Sequence, residues 1–231
     1  MPKKPIITAR EAAALIPDGA TIMAGGFLAC GQAHAIVEEL VKSGKGNFTL
    51  IANDMGREVG PKGENHYGIA ALIHNRQVRR IISTHVGMTP EVGQQANEGF
   101  LEVDLVPQGS LAEMIRAGGA GLGGVLTPVG VGTIVEQSPL VDRKITVGGK
   151  EYLLMKAIRA DVALLGAYRV DMAGNAWYKG TMRNFNVPMA TAADTVIAEA
   201  EHLVEVGEIE AENVMTPGIL VDYIVKGAVN E

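Results

Sequence analysis

Apolar and polar positions along this chain fall into blocks of two kinds. Short apolar runs read as buried strands: ATIMA at 20–24, FTLIAND at 48–54, VRRIISTHV at 78–86 and LEVDLV at 101–106. Between them lie segments read as helices: AIVEELVKSG at 35–44, IAALIHNR at 69–76, PEVGQQANEG at 90–99 and SLAEMIRAG at 110–118. An earlier helix is announced by Thr8-Ala9-Arg10-Glu11, a capping box, and is stopped by the turn signal Pro17-Asp18-Gly19. Strands alternating with helices predict an α/β domain with an open, mostly parallel sheet covered on both faces.

The second half changes character. GGAGLGGVLTPVGVG at 118–132 reads as a long glycine-rich loop, and Gly118-Gly119 as the stop of the helix before it. Met55 to His66, with Gly56, Gly60, Pro61 and Gly63, is expected to be a loop as well. RKITVGGKEYLLM at 143–155 predicts a hairpin around Gly148-Gly149, a small β-rich part. ADVALLGAYRVD at 160–171 is a strand, and Asp171 to Asn175 a turn into AWYK. DTVIAEAEHLVEV and GILVDYIVKG close the chain. Without an internal repeat or a low-complexity linker, residues 1–231 read as one domain.

Composition narrows the function classes. Hydrophobic residues make up 47%, enough for a core, while aromatics are 4%, too few for the stacking platforms of single-strand nucleic-acid binders. A net charge of −6 removes the usual electrostatic footprint of a nucleic-acid partner. The single cysteine, Cys30, permits no internal disulfide. MPKKPIITAR lacks the apolar segment of a signal peptide, and no apolar run reaches membrane-spanning length, so a cytoplasmic setting is expected.

Candidate chemistry concentrates at strand ends. Gly25-Gly26-Phe27-Leu28-Ala29-Cys30-Gly31 follows a strand and precedes a helix, where open α/β sheets bind ligands and where backbone N–H groups suit anions. The alternative for this stretch is a tight structural turn, since it is neither a dinucleotide fingerprint nor a phosphate-binding loop. Asn53-Asp54 and His85 close the next two strands and are either pocket residues or structural hydrogen-bonding groups. The 118–132 stretch either lines a pocket or packs closely. Glu64, in Gly63-Glu64-Asn65, is a carboxylate of the type that forms anhydrides and thioesters, but its setting is polar. Cys30 reads as an incidental thiol for want of a histidine partner. The histidine spacings match no metal motif, so no metal site is expected.

These stretches together resemble family I (3-oxoacid) coenzyme A transferases. The first signature of that family runs from Asp-Gly through an apolar strand to Gly-Gly-Phe and ends Gly-x-Pro. Residues Asp18 to Gly31 follow it, and Ala33 stands where the family usually has proline. LIANDMG at 50–56, ISTHVGMTPEVG at 82–93, the block at 105–133, RADVALLGAYRVDMAGN at 159–175, Met182 to Asn186 and VMTPGILVDYIV are similar to the same family, above all to α subunits of the acetate or butyrate–acetoacetate type. The resemblance implies a CoA-transferase-like (NagB/RpiA-like) fold. It implies a β-subunit partner in an α2β2 assembly, CoA and acyl-CoA as substrates, and no permanently bound cofactor. The family's catalytic glutamate lies in Ser-Glu-Asn-Gly on the β subunit; here Gly63-Glu64-Asn65-His66 is only a partial match, so no catalytic residue is expected in this chain. Gly25, Gly26, Phe27, Leu28, Ala29, Cys30 and Gly31 would face CoA and offer backbone donors to the thioester oxygen. Asn53, His85, Gly119 and Gly121 would shape the acid pocket. Two rival readings are a sugar-phosphate isomerase or deaminase with its own acid and base, and a ligand-sensing module without turnover.

Overall fold

The computed structural model describes residues 2–227. The chain begins with β1 (Ile6–Ile7), α1 (Ala9–Leu15), β2 (Thr21–Ala24), α2 (His34–Lys42) and β3 (Phe48–Asp54). A small hairpin follows, β4 (Arg57–Val59) and β5 (Asn65–Tyr67), then α3 (Ala70–His74), β6 (Val78–His85), α4 (Glu91–Asn97), β7 (Glu102–Leu105) and α5 (Gln108–Gly119). The second half adds β8 (Gly124–Thr127), β9 (Val141–Val147), β10 (Lys150–Lys156), β11 (Ala160–Asp171), β12 (Ala176–Trp177), α6 (Asn186–Met189), β13 (Ala193–Val204) and β14 (Tyr223–Lys226).

The main sheet has the order β1-β14-β13-β11-β2-β3-β6-β7, every pairing parallel, with β12 added antiparallel to β11. Its central strands are apolar almost without interruption because both faces are covered. Neighbouring residues on each strand point to opposite cores. Met23, Ile51, Ile82, Ala163 and Leu165 face Leu111, Met114 and Ile115 of α5. Ile22, Leu50, Ile81, Val162 and Leu164 face Ile36, Val37 and Leu40 of α2, Ala12 of α1 and Ile16 at its C-terminal end. Burying a side chain such as Leu40 contributes about 1.5–3 kcal/mol. The capping box at α1 forms as the sequence predicts: Glu11 N–H donates to Thr8 Oγ1 at 3.1 Å, and Thr8 N–H to Glu11 Oε2 at 2.8 Å.

Three expectations need correction. Met55–His66 is not wholly a loop, because Gly60 N–H donates to the Glu64 carbonyl at 2.7 Å and closes the β4–β5 hairpin. Its strands are three residues long, with no fully buried residue, so no apolar pattern announces them. Gly118-Gly119 does not stop α5 but belongs to it. A Cβ at Gly118 would overlap the Ile158 carbonyl, so these glycines let the helix approach neighbouring backbone. The 118–132 stretch contains β8, which pairs with β10 in a three-stranded sheet β8-β10-β9. The β9–β10 hairpin turns at Gly148-Gly149, both with positive φ, as a type I′ two-residue turn requires. No helix among the described residues is long and apolar enough to cross a membrane.

Candidate functional site

The Gly25–Gly31 segment leaves the C-terminal end of β2 and folds back on itself before α2. Phe27 N–H donates to the Cys30 carbonyl at 3.0 Å, and Cys30 N–H returns to the Phe27 carbonyl at 2.9 Å. Between them Leu28 has φ 48° and Ala29 φ 68°. Two successive left-handed residues make a tight hairpin turn, and for residues with a Cβ this conformation costs roughly 1–2 kcal/mol each. The strain is held by the surroundings. Asp54 Oδ2 accepts Leu28 N–H at 2.8 Å, Asn184 Oδ1 accepts Gly26 N–H at 3.1 Å, and His34 Nε2 donates to the Ala29 carbonyl at 3.0 Å. Burial pulls the His34 imidazole below its ordinary pKa, against the opposing pull of the Ala29 carbonyl and of Glu38 and Glu64, which favours the neutral ring.

Behind the turn stands Asn186, with no exposed surface. Its Nδ2 donates to the carbonyls of Gly31 at 3.0 Å and Met182 at 2.7 Å, and its Oδ1 accepts Gly166 N–H at 3.3 Å. Gly25 must be glycine here, since a Cβ would overlap the Asn186 carboxamide. Gly31, at φ 80°, is likewise pressed against Met182 and Asn186.

Open amides are scarce in the turn. Those of Gly25, Gly26, Phe27, Leu28 and Cys30 already have acceptors within the chain. The first turn of α2 is occupied too. Ala35 and Ile36 donate their N–H groups to the two oxygens of Glu199, at 3.0 and 2.9 Å. The acceptor at this helix start is therefore the chain's own carboxyl group, brought in by β13. Burial pushes Glu199 up to about 7, the two amides pull against it, and Glu38 and Glu201 add to the rise. Sequence reasoning missed Glu199. Its signal was available as an acidic residue flanked by Ala198 and Ala200 in an apolar strand.

Asn53 is 2% exposed and spends its carboxamide internally. Its Oδ1 accepts from Gln108 Nε2 and from Thr84 Oγ1, while its Nδ2 donates to Asp54 Oδ2 at 2.8 Å. Asn53 thus braces Asp54, which braces Leu28. His85 ends β6 beside Asp54 in register and is exposed. Gly119 and Gly121 lie at the C-terminal end of α5, whereas Gln108 at its start touches the site; twelve residues put about 17 Å between the two ends. The structure does not bring these glycines together with the turn. Gly119 instead packs on Thr191, and Gly121, at φ 69°, leaves the helix. Glu64 sits in the β4–β5 turn, where its carboxylate accepts Lys62 N–H at 2.8 Å. Cys30 is exposed, with its Sγ 3.3 Å from Thr181 Oγ1.

Two clefts flank the turn. One, of about 360 Å³, is bounded by Phe27, Gln108, Ala112, Asn184, Phe185 and Pro188. Among the described residues it has no carboxylate in its wall. The other, of about 300 Å³, lies beside α2, with His34, Glu38, Glu64, Tyr67 and Glu199 in its wall. Phe27, Met88 and Leu105, which follow or end parallel strands, stand 40–49% exposed.

The sequence profile of the coenzyme A transferase family matches residues 6–227. The chain is 48% identical over 209 residues to the acetoacetyl-CoA:acetate/butyrate CoA transferase alpha subunit of Clostridium acetobutylicum, covering 90% of this chain and 91% of that one. It is 44% identical to the acetate CoA-transferase subunit alpha of Escherichia coli, covering 96% and 97%. The fold superposes on an acyl-CoA transferase (YdiF) from Escherichia coli with a TM-score of 0.86 at 24% identity, over 97% of this chain and 47% of that longer one. The chain belongs to the coenzyme A transferase family.

Proposed function

We propose that this chain is the α subunit of a heteromeric enzyme that moves coenzyme A between short-chain acyl-CoA thioesters and free carboxylates of the acetate, butyrate and acetoacetate class. One observation carries the reading: the apolar cleft beside the Gly25–Gly31 turn is small enough for a short acyl chain, yet its wall holds no carboxylate among the described residues. Such a site is half built. A glutamate from a β subunit completes it, as the resemblance to the family implies.

The chemistry then proceeds in two halves. The partner's carboxylate attacks the thioester carbonyl and expels CoA thiolate, leaving a mixed anhydride. The thiolate attacks the glutamyl carbonyl of that anhydride and releases the first acid. A second acid reverses both steps and leaves carrying CoA. Thioester energy is conserved throughout, so neither nucleotide nor permanent cofactor is required. In this reading Phe27 and the strained turn form the α-side wall next to CoA. Because the amides of the turn are mostly committed, their contribution is to shape the wall more than to supply a row of donors. The exposed apolar residues Phe27, Met88 and Leu105 support a partner surface at the strand ends. An α2β2 assembly and a cytoplasmic setting belong to the same proposal.

The test is to co-express the chain with a candidate β subunit of the same family and assay CoA exchange over a panel of short acids. Exchange by the pair and none by the chain alone is expected. Turnover by the chain alone, abolished by Glu64→Ala, would overturn the subunit assignment.

A further inference from the structure

His66, His74 and Glu91 converge from β5, α3 and α4, and the transfer chemistry uses none of them. One donor atom from each lies within 4.8 Å of the others. The imidazoles of His66 and His74 stack, with centroids 3.7 Å apart and planes 14° from parallel. Glu91 spans the edge of the stack: Oε1 is 2.9 Å from His74 Nδ1, and Oε2 is 4.0 Å from His66 Nδ1. The first distance is a hydrogen bond and the second is too long to be one. Glu91 Oε2 is nonetheless buried, and it has no hydrogen-bond partner among the described residues. A carboxylate oxygen withdrawn from water without a donor is costly. It faces an imidazole nitrogen across a gap that a hydrogen bond does not fill.

We propose that His66, His74 and Glu91 bind a divalent transition-metal ion of the Zn²⁺ type. Two imidazole nitrogens and one carboxylate oxygen suit Zn²⁺ or Co²⁺, whereas Mg²⁺ and Ca²⁺ prefer all-oxygen shells. Ligands about 2.0–2.1 Å from a tetrahedral ion stand roughly 3.3–3.5 Å apart. The donors come within 4.8 Å of one another, and metal binding must turn the two stacked imidazoles out of parallel so that their in-plane lone pairs converge on the ion. Without metal, His74 holds a proton on Nδ1 and donates it to Glu91. When the ion takes the Nδ1 lone pair, that proton moves to Nε2 on a side chain that is 48% exposed. The His74–Glu91 hydrogen bond is given up, and both groups bind the ion in its place. Three protein ligands leave a fourth position for water. The sequence predicted no metal because the ligands come from three segments, with none of the close spacings by which metal motifs are recognised.

The ion would tie the β4–β5 hairpin to α3 and α4. That hairpin forms one wall of the cleft beside α2. Its ladder has two register pairs, Arg57 with Tyr67 and Val59 with Asn65, and Glu58 N–H donates to the Met88 carbonyl at 3.0 Å, so a metal clip would add to a small set of ties.

Tag-free chain carrying Cys30→Ser, which removes the exposed thiol as a competing ligand, is stripped of metal and titrated with Zn²⁺ by calorimetry and with Co²⁺ by visible absorption. One equivalent is expected to bind, the Co²⁺ form is expected to show the intense bands of a tetrahedral ion, and Zn²⁺ is expected to raise the unfolding midpoint. His66→Ala, His74→Ala and Glu91→Gln should each weaken binding about tenfold or more, while His202→Ala should not. Absence of saturable binding to the chain overturns the proposal. So does binding that all three variants retain. Should a variant fail to fold, the Co²⁺ spectrum of the otherwise unaltered chain decides: weak octahedral bands, or none, reject the site.

Discussion

Glu199 accepts the backbone N–H of Ile36 at 2.9 Å although 163 residues separate them in the chain. The contact pins the start of α2 to the neighbouring region of β13, directly behind the strained turn. It also places a carboxylate that is 6% exposed where burial raises its pKa to about 7, above its ordinary 4.5. Between those values the folded chain keeps a proton that the unfolded chain has released. The stability from this group is therefore complete below about pH 4.5 and is lost as pH rises through about 7. Glu199→Gln carries no such titration. The stability of the parent chain relative to this variant should fall by on the order of 3 kcal/mol between pH 5 and 8. Urea unfolding at the two pH values measures it, and a difference that stays constant with pH would contradict the account.

Asp54 performs the complementary task on the other side of the turn. It is 2% exposed and accepts N–H groups from Leu28 at 2.8 Å and Gly56 at 3.0 Å. Each hydrogen bond to a buried charge contributes about 1.5–3 kcal/mol, so Asp54→Ala should cost roughly 3 kcal/mol or more. The same variant should depress CoA exchange in the assembled enzyme more than it depresses partner binding, because the wall of the cleft loses its fixed shape. Equal losses in both would point to general misfolding instead.

Much of this arrangement was legible in the residues. The alternation of apolar runs and amphipathic segments specifies the parallel sheet, and the capping box at Thr8 and the Gly148-Gly149 turn are local chemistry that tertiary contacts do not override. The position of the turn at Gly25–Gly31 was legible too. What it does with its amides was not, because Asp54 and Asn184 reach it from distant segments, as Glu199 reaches the first turn of α2, and nothing local encodes their arrival. Gly118 and Gly119 misled for a related reason. A glycine that ends a helix and one that admits a neighbour's backbone are the same residue in sequence, and only Ile158 and Thr191 distinguish them.

Glycines therefore divide into two experimental classes. At Gly25 a methyl group would overlap the buried Asn186 carboxamide. Gly25→Ala should lower stability by about 1–3 kcal/mol, the range for overpacking, and disturb the turn. Gly93 lies within α4, with nothing within 4 Å of an added Cβ. Gly93→Ala should raise stability by about 0.5–1 kcal/mol through helix propensity alone. Denaturant midpoints of the two variants should thus move in opposite directions.

One carboxylate of this chain, Glu64, resembles the missing nucleophile most. Glu64 shares Glu-Asn with the family's catalytic motif, but the structure gives it a different task. Its carboxylate accepts Lys62 N–H within the hairpin turn, and hydrogen bonds hold its pKa below the usual carboxylate value. The group is solvent-exposed, so water competes for its lone pairs, and a nucleophile of this type works best where water is excluded. Removing a true covalent nucleophile lowers kcat by several orders of magnitude, whereas removing a turn-forming side chain does not. Glu64→Ala in the assembled enzyme should leave kcat within about twofold of the parent value. Single-turnover assays with acyl-CoA should still trap a CoA thioester, on the partner chain and not on this one. A thioester recovered on this chain, lost with Glu64→Ala, would return the catalytic carboxylate to it.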